Sequence, residues 1–455
     1  MSDSDALMWH IEKDPLLRST ITVVWWLDAP PDRDRLEDKI ERATRLIPRL
    51  RQRVVSNPYS IAPPRWEVDP NFDRKFHVRW LDAPPHGDVR AVLDCAEPIA
   101  MQGFDRARPL WELYVVGGLS ENRAALVLKL HHSLSDGVGL VKMTAALVEH
   151  GREPAEASGP LPPLPGGRVL TQPERVVDAF GHEWRRSLGR VRRLVGTLPH
   201  ALRSAVGDPL GAASGIADAT ASIGRLLRPA TTPLSPIMRE RSLSLRFDTL
   251  TLPVDRLKAA ARRVRGRLND AFVAGVAGGL RRYHEAHGAV VPALRMSMPI
   301  NVRQGDTAAV AGNQFVPARF EVPIGIVRPG ERMAAIHDLV GRQRGEPALR
   351  LIDEMAGLLN RLPLAASTAL FGAMLKGIDF VTSNVPGPRF EMYVAGARLD
   401  GVVGYGPLTG AAANVTLFSY LDRAHLGIST DPAAVPDPGV FVTCLADGFD
   451  EVLGA

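Results

Sequence analysis

The chain has 455 residues, 45% of them apolar and 23% charged. This length suits two or three globular domains, and the composition excludes a disordered, collagenous or coiled-coil protein. Its 55 basic residues are nearly balanced by 50 acidic ones, which gives no indication of nucleic-acid binding. The two cysteines, Cys95 and Cys444, lie far apart, which excludes a disulfide framework and argues against a cysteine zinc site.

Features of export and membrane insertion are missing from the sequence. The longest uncharged apolar stretch, Ala271 to Leu280, is about half of the ~20 residues that a spanning helix needs. The opening Met-Ser-Asp-Ser-Asp is acidic, whereas a signal peptide begins with basic residues. We therefore expect a cytoplasmic protein, either free or attached peripherally to a membrane.

The first third of the chain alternates strands with helices. Ser19 to Leu27 is rich in β-branched and aromatic residues, which predicts a strand. Pro31 to Leu46 has apolar residues at helical spacing. Trp111 to Gly117 and Ala124 to Leu130 read as paired strands, and Val138 to His150 reads as a helix.

Composition changes at Gly151, where a connector begins. Glu153 to Gly167 contains five prolines, which predicts an extended and exposed linker. From Val176 to Leu198, apolar residues then recur every three or four positions, with arginines on the other faces. A basic amphipathic helix of this kind can lie on an anionic membrane or pack between domains, and the sequence leaves both interpretations open.

A second alternating unit follows the connector. Its predicted helices are Leu268 to His287, Glu331 to Arg344 and Val440 to Leu453, and its predicted strands are Leu294 to Ile300, Asn313 to Val322, Val402 to Gly404, Asn414 to Tyr420 and Ala424 to Ser429. We therefore predict an α/β protein with two domains, at 1–150 and 241–455, joined by a Pro-rich and helical connector at 151–240.

The most specific motif is His131-His132-Ser133-Leu134-Ser135-Asp136-Gly137, between a predicted strand and a predicted helix. Consecutive residues of an extended segment point in opposite directions, so only one histidine can face a given cavity. Histidine is the natural general base near neutral pH. A hydrogen-bonded structural loop is the alternative, and a metal site lacks a third ligand at a familiar spacing.

Several blocks resemble the bacterial wax ester synthase/diacylglycerol acyltransferases, a family within the HHxxxDG acyltransferase superfamily. The histidine motif is one of them, and Pro109-Leu110-Trp111 resembles the family's PLW block. The other blocks are Asp5 to Trp9, Arg49 to Arg53, the Asn269-Asp270 helix start, Ser297 to Arg303, the Ser383-Asn384-Val385-Pro386-Gly387-Pro388 loop and Ser419 to Asp437. They occur in the family's order from residue 5 to 453.

The resemblance implies two chloramphenicol-acetyltransferase-like domains, with mixed sheets flanked by helices and a tunnel between the domains. It implies that His132 is the general base, which deprotonates the hydroxyl of diacylglycerol or of a long-chain alcohol for direct attack on acyl-CoA. Acyl-CoA is then a substrate, and neither a cofactor nor a metal is expected. His131 would support the loop, Asp136 would be structural and paired with an arginine such as Arg303, and Gly137 would leave room for substrate. The absence of a GxSxG elbow agrees with a reaction that forms no acyl-enzyme.

The remaining blocks have structural alternatives. Pro109, Leu110 and Trp111 either bind substrate or pin a strand into the core. Asn269 and Asp270 either bind substrate or merely begin a helix, where asparagine is a common cap. The segment Ser383 to Pro388, which contains Asn384 and Gly387, is interpreted as a rigid turn. It either donates backbone N–H groups to CoA or the oxyanion or only crosses between the domains.

Two stretches depart from the family pattern, Ser235 to Ser244 and Pro407 to Gly410, and both are expected to reshape the acceptor side of the tunnel. Other acceptors, such as a glycolipid or a polyketide alcohol, therefore stay open, as does a non-catalytic lipid-binding or lipid-droplet protein of the same fold. The expected partners are acyl-CoA, the acceptor alcohol, and the inner membrane face or a lipid-droplet surface, with no nucleic acid. The sequence does not specify an oligomeric state.

Overall fold

The computed structural model describes residues 1–56, 62–84, 87–135, 137–153, 159–185, 188, 232–301, 315–344, 369, 372–373 and 375–455. These residues form two six-stranded mixed sheets with helices packed against them, and a small two-stranded sheet. The predicted α/β class is confirmed.

The N-terminal sheet has the strand order β11-β12-β1-β6-β5-β4. Its strands are β1 (Thr20–Leu27), β4 (Val78–Asp82), β5 (Trp111–Gly117), β6 (Ala124–His131), β11 (Tyr393–Val394) and β12 (Ala397–Tyr405), while β2 (Gln52–Val55) pairs with β3 (Arg65–Val68). The helices of this part are α1 (Asp3–Ile11), α2 (Arg33–Leu46), α3 (Arg74–His77), α4 (Val89–Met101), α5 (Gly137–Thr144) and α6 (172–185).

The strongest local patterns form the predicted elements. Nearly all of β1 is buried, and it pairs antiparallel with β6 along its whole length. Helix α2 begins after Asp32, whose side chain accepts a hydrogen bond from the backbone of Arg35 and so caps the helix. The buried face of α2 contains Leu36 and Ile40, as its apolar spacing predicts.

Helix α5 is shorter than the Val138 to His150 helix predicted from the sequence. It ends at Thr144 and is followed by a short 3₁₀ turn at Ala145–Leu147. Glu149 then forms an isolated bridge with Tyr393. Pairing with a distant segment therefore replaces the last helical turn.

The C-terminal sheet has the strand order β7-β14-β13-β10-β8-β9. Its strands are β7 (Arg246–Pro253), β8 (Leu294–Asn301), β9 (Phe315–Val322), β10 (Phe380–Pro386), β13 (Ala413–Tyr420) and β14 (Arg423–Thr430). The helices of this part are α7 (Val254–Arg263), α8 (Leu268–Ala286), α9 (Pro329–Arg344) and α10 (Pro438–Gly454). The helices and strands predicted here are found with ends that differ by a few residues, except that Val402 to Gly404 belongs to β12 of the N-terminal sheet and that Asn313 lies outside the described residues.

Helices α8 and α10 cross so closely that only glycine fits at the contact. A Cβ atom on Gly448 would lie 2.3 Å from the backbone nitrogen of Gly279 and 2.5 Å from the carbonyl oxygen of Gly275. Phe272 and Phe449 stack beside this crossing. The crossing therefore anchors the helical layer of the C-terminal core.

The C-terminal part of the chain contributes a strand to the N-terminal sheet. Strand β12 follows β10 in sequence, yet it pairs antiparallel with β1 of the N-terminal sheet, with Thr22 opposite Tyr405. The N-terminal sheet is therefore completed by residues from the 241–455 range.

The interpretation of Ser383 to Pro388 as a turn is wrong for its first four residues. Phe380–Pro386 is a strand, parallel to β13 throughout, whereas β8 pairs only with Phe380 and Val381. Pro386 therefore lies at the end of a strand with one open side, a position that a residue without a backbone N–H can occupy.

Candidate active site

The histidine motif lies where β6 ends and the turn into α5 begins. The backbone N–H of His131 donates to the carbonyl of Leu110 at 3.0 Å, and that of His132 donates to the carbonyl of Ser19 at 2.8 Å. The His131 residue is fully buried, whereas His132 is half-buried. The two rings therefore occupy different environments, as alternation at a strand end predicts.

The contacts of His131 fix its tautomer. Its Nδ1 accepts a hydrogen bond from the backbone N–H of Ser133 at 3.0 Å, with the Ser133 hydroxyl at 2.7 Å. Its Nε2 lies 3.0 Å from Oε1 of Glu12. Since Nδ1 accepts, the proton of a neutral ring is assigned to Nε2, which contacts the carboxylate without meeting the geometry of a hydrogen bond. The interaction holds His131 and, through the backbone, the start of the turn.

Glu12, just beyond α1, is a residue that sequence reasoning missed. Its Oε1 also accepts from the backbone N–H of Ser19 at 2.6 Å, and Arg106 approaches Oε2 at 3.9 Å. Burial by itself would raise the pKa of Glu12, but His131 and the Ser19 N–H outweigh it and hold the pKa below its usual value. No local pattern marks Glu12, because its partner is distant in the chain.

A second buried polar cluster lies on the same sheet face, two residues before His131. Lys129 is fully buried, with its Nζ 3.5 Å from Oε1 of Glu112 and 4.4 Å from the ring centre of Phe104. The Tyr114 hydroxyl also donates to Glu112. Burial lowers the pKa of Lys129 although Glu112 opposes this. The cluster ties β5 to β6 directly below the motif.

The Pro109-Leu110-Trp111 block supports the motif from the neighbouring strand. The carbonyl of Leu110 accepts the His131 hydrogen bond. Trp111 is buried, donates from Nε1 to the carbonyl of Leu50 at 2.8 Å, and stacks on His77 with ring centres 4.5 Å apart. These contacts are those of a strand pinned into the core.

An apolar cavity lies between α2, α5 and the sheet, next to this block. Among the residues that the structure describes, threonines are the only hydroxyl-bearing or charged side chains that line it. The lining residues are Ile40, Ala43, Thr44, Leu50, Trp111, Leu113, Leu128, Leu130, Leu134, Leu140, Met143, Thr144 and Leu147. Because Leu134 belongs to the motif and Leu140 to α5, the cavity is adjacent to the turn that carries His132.

The structure places Asn269 and Asp270 in the helical layer of the C-terminal sheet. The N-cap position of α8 is Arg267, so the interpretation of Asn269 as the cap is wrong. Asp270 instead accepts from the backbone N–H of Arg267 at 2.7 Å and from His337 at 2.8 Å. The Nδ2 of Asn269 lies 3.5 Å from the sulfur of Met298. These contacts begin and anchor the helix.

Strand β10 brings the Ser383 block towards the motif. Helix α5 contacts β10, and Val385 packs in the same apolar cluster as Leu134 and Leu140. Ser383 shares that face of the strand by alternation, whereas Asn384 lies on the opposite face. Gly387 has no room for a side chain, because a Cβ would lie 2.2 Å from the carbonyl of Ser419.

Two predicted site residues, Asp136 and Arg303, lie outside the residues that the structure describes. Gly137 is the first residue of α5, so the motif does lead from a strand into a helix. The contacts proposed for Asp136 with an arginine are thus untested.

A second cleft lies between the two sheets, and one of its walls begins beside the motif. Thr20, which pairs with His131 across the sheet, lines it together with Arg18. The C-terminal walls are 241–245 and 407–411. Both stretches that depart from the family pattern therefore contribute to one cleft.

Within the part of the chain that the structure describes, no cluster of three or more histidine, cysteine or acidic side chains is suited to hold a metal. In the same residues, no helix has the length and apolarity required to cross a bilayer.

Sequence comparison assigns this architecture to a family. Residues 1–272 match the wax ester synthase/diacylglycerol acyltransferase catalytic domain, and residues 311–452 match the C-terminal domain of the same family. The chain therefore belongs to the wax ester synthase/diacylglycerol acyltransferase family, and it is an acyltransferase. The resemblance found in its motifs is confirmed.

Individual relatives cover nearly the whole chain. A Mycobacterium tuberculosis protein provisionally named a diacylglycerol O-acyltransferase is 37% identical over 99% of this chain and 90% of its own length. A second protein of that organism with the same provisional name is 29% identical over 99% of this chain and 96% of its own length.

Two solved structures share the fold. The wax ester synthase/diacylglycerol acyltransferase from Marinobacter aquaeolei VT8 superposes with a TM-score of 0.65 at 21% identity, covering 99% of this chain and 98% of that one. The first condensation domain of the calcium-dependent antibiotic synthetase superposes with a TM-score of 0.61 at 16% identity, covering 100% of this chain and 95% of that one. The predicted two-domain, chloramphenicol-acetyltransferase-like fold is thereby confirmed.

Proposed function

We propose that this protein transfers an acyl group from acyl-CoA to the hydroxyl of diacylglycerol, with His132 as the general base. The observation that carries the proposal is the contrast between the two histidines. His131 is sealed in the core and held by Glu12 and Ser133, whereas His132 is half-buried on a turn fixed at both neighbouring strands.

In the proposed reaction the imidazole of His132 accepts the proton of the acceptor hydroxyl while its oxygen attacks the thioester carbon. The C–S bond then breaks, and the imidazolium returns its proton to the CoA thiolate. The products are an ester and free CoA, and histidine is regenerated without an acyl-enzyme. A general base of this kind contributes roughly 10² to 10⁴ in rate.

The other residues of the motif blocks receive supporting roles in this proposal. Asp136 stiffens the turn by pairing with an arginine such as Arg303, and Gly137 leaves space for substrate beside α5. Ser383 faces the same side, from which the backbone of β10 can stabilise the developing oxyanion. Asn269 and Asp270 contribute indirectly, by holding the helical layer behind the C-terminal sheet.

The two cavities suggest where long substrates enter. The apolar cavity beneath α5 suits a hydrocarbon chain, because the described residues that line it are apolar apart from two threonines. The cleft between the sheets reaches Thr20, opposite His131. We assign these two spaces to a tunnel that delivers donor and acceptor to His132 from different sides.

Wax ester synthesis is the second candidate activity. The family and the Marinobacter aquaeolei protein are both named for it as well as for diacylglycerol acylation. A long-chain alcohol presents the same primary hydroxyl to the base with a slimmer body. The 407–411 wall of the cleft is therefore expected to decide between the two acceptors.

The reaction also implies a location. Diacylglycerol and long-chain alcohols partition into lipid, so the enzyme has to work at the inner face of the membrane or at a lipid droplet. Peripheral attachment serves this purpose and leaves acyl-CoA accessible from the aqueous side.

Incubation of the purified protein with radiolabelled palmitoyl-CoA tests the proposal. Parallel reactions contain diacylglycerol, hexadecanol, a glycolipid alcohol or no acceptor. Label in triacylglycerol that depends on diacylglycerol supports the proposal, and label in wax ester supports the second activity. Transfer to the glycolipid alone, or lipid binding without any transfer, would contradict it.

A further inference from the structure

Helix α6 is attached to the N-terminal unit by its polar side. Asp178 pairs with Arg65 at 2.7 Å, and Arg175 approaches the buried carboxylate of Glu67 at 3.5 Å. Between them, Ala179 is only 1% exposed. The face of α6 that meets the protein therefore consists of ion-pairing residues and a small alanine.

The outward side of the same helix is apolar. Val177, Phe180 and Trp184 are 72%, 58% and 70% exposed, and we call these three residues the outer stripe. At 100° per residue they fall within an arc of about 60°. This arrangement inverts the usual one, in which the apolar face of a surface helix packs on the core.

The position of the outer stripe is fixed by the segment that precedes α6. The carbonyls of Pro160 and Pro162 accept hydrogen bonds from Arg42 and Arg45 of α2, at 3.2 and 3.0 Å. The side chain of Glu174 accepts from the backbone N–H of Thr171 at 2.8 Å at the start of the helix. The helix is thus held from its first turn, with the stripe facing away from its attachments.

Charge identifies what the outer stripe meets. Arg185 directly follows Trp184 and is exposed. From Trp184 to Gly207 the sequence has six arginines and no acidic residue. Exposed tryptophan and phenylalanine, followed along the sequence by a run of arginines, match an interface between hydrocarbon and anionic headgroups, which stabilises aromatic rings and cations together.

We infer that the outer stripe of α6 docks the enzyme on an anionic lipid surface, with Phe180 and Trp184 inserted among the acyl chains. The inference rests on the proposed function in one respect, since docking would serve to bring the turn of His132 to a lipid acceptor. Binding to the surface itself needs neither acyl-CoA nor catalysis.

Flotation of the full chain with vesicles tests this inference. The vesicles contain phosphatidylcholine alone or mixed with phosphatidylglycerol, and no acyl-CoA is present. The test variant is Val177→Ser/Phe180→Ser/Trp184→Ser. The matched control is Val290→Ser/Val327→Ser, which removes apolar side chains that are 92% and 62% exposed elsewhere.

Wild type and control are expected to bind the mixed vesicles, more weakly at high salt, and the stripe variant to bind at least about 10-fold more weakly. Trp184 fluorescence, taken as the difference between wild type and Trp184→Phe, is expected to shift to the blue on binding. Equal binding by the stripe variant would overturn the inference. Shielding of Trp184 from iodide in the absence of vesicles would also overturn it, since another part of the chain would then cover the stripe. A dimer that wild type and control form and the stripe variant does not form would overturn it as well, since a second copy would then cover the stripe.

The same experiment separates this inference from the proposed function. His132→Ala is expected to bind vesicles like wild type, because the stripe and the base are different sites. If wild type bound vesicles but transferred no label to any acceptor, the proposed function would fail and the docking surface would stand. If label were transferred to diacylglycerol but the stripe variant bound vesicles like wild type, the proposed function would stand and the docking surface would fail.

Discussion

The two neighbouring histidines at the end of β6 occupy different environments, as the proposed division between a supporting ring and a catalytic ring requires. His131 accepts a hydrogen bond from the Ser133 backbone at Nδ1, and its Nε2 contacts the Glu12 carboxylate, so both of its nitrogens face partners inside the core. His132 begins the turn and stays half-buried. A ring with both nitrogens engaged in this way is poorly placed to move a proton to and from substrate.

Glu12 is expected to contribute stability that depends on pH. Its pKa is lowered in the folded protein, so its contribution is present above the ordinary glutamate pKa of ~4.3 and is lost as pH falls through the lowered value. Glu12→Gln should cost about 1 to 3 kcal/mol in the free energy of unfolding at pH 7, and clearly less in acid. Urea unfolding of wild type and Glu12→Gln, at pH 7 and at an acidic pH below the lowered pKa of Glu12, checks this.

Glu121→Gln, at an exposed position, is the control for this measurement and should change the free energy of unfolding little. An equal cost of Glu12→Gln at both pH values would show that the carboxylate charge is not what stabilises His131.

At the scale of elements, the close crossing of α8 and α10 predicts that a side chain on Gly448 destabilises the fold. Gly448→Ala would place a Cβ 2.3 Å from the backbone of Gly279, and backbone cannot move aside as a flexible side chain can. We expect a loss of about 2 to 4 kcal/mol in the free energy of unfolding, measured by denaturant titration.

Gly439→Ala provides the matched control on the same helix. A Cβ there meets nothing within 4 Å, and alanine favours a helix over glycine by about 1 kcal/mol. The control should therefore be neutral or stabilising. A similar loss in both variants would mean that helix propensity, and not the close crossing, explains the effect.

The elements also show what a sequence can and cannot predict. Strand β1 is predictable because β-branched and aromatic residues fill it, and α8 because its pattern is long. Helix α4 was missed, since Pro98 lies inside it, and β10 was mistaken for a turn because its proline and glycine occur at the open end of a strand. The half-buried position of His132 follows from its place after β6, but the Glu12 contact depends on tertiary packing that no local pattern encodes.

At the scale of the whole molecule, β12 makes the two halves interdependent. Without it, β1 would become an edge strand with unpaired backbone groups over an apolar face, which favours aggregation. We expect residues 1–231 to be insoluble when expressed alone and soluble when residues 232–455 are expressed with them. A folded, monomeric 1–231 fragment, detected by light scattering and circular dichroism, would contradict this.

The proposed catalysis depends on a division of roles between two adjacent imidazoles, His131 as support and His132 as base. Steady-state transfer of label from palmitoyl-CoA to diacylglycerol, measured for His132→Ala and His131→Ala alongside thermal unfolding, tests it most directly. We predict that His132→Ala lowers kcat by ~10² to 10⁴ with an unchanged melting temperature, while His131→Ala loses less activity and mainly loses stability. Equal losses of activity in two stably folded variants would contradict the assignment of His132 as the base.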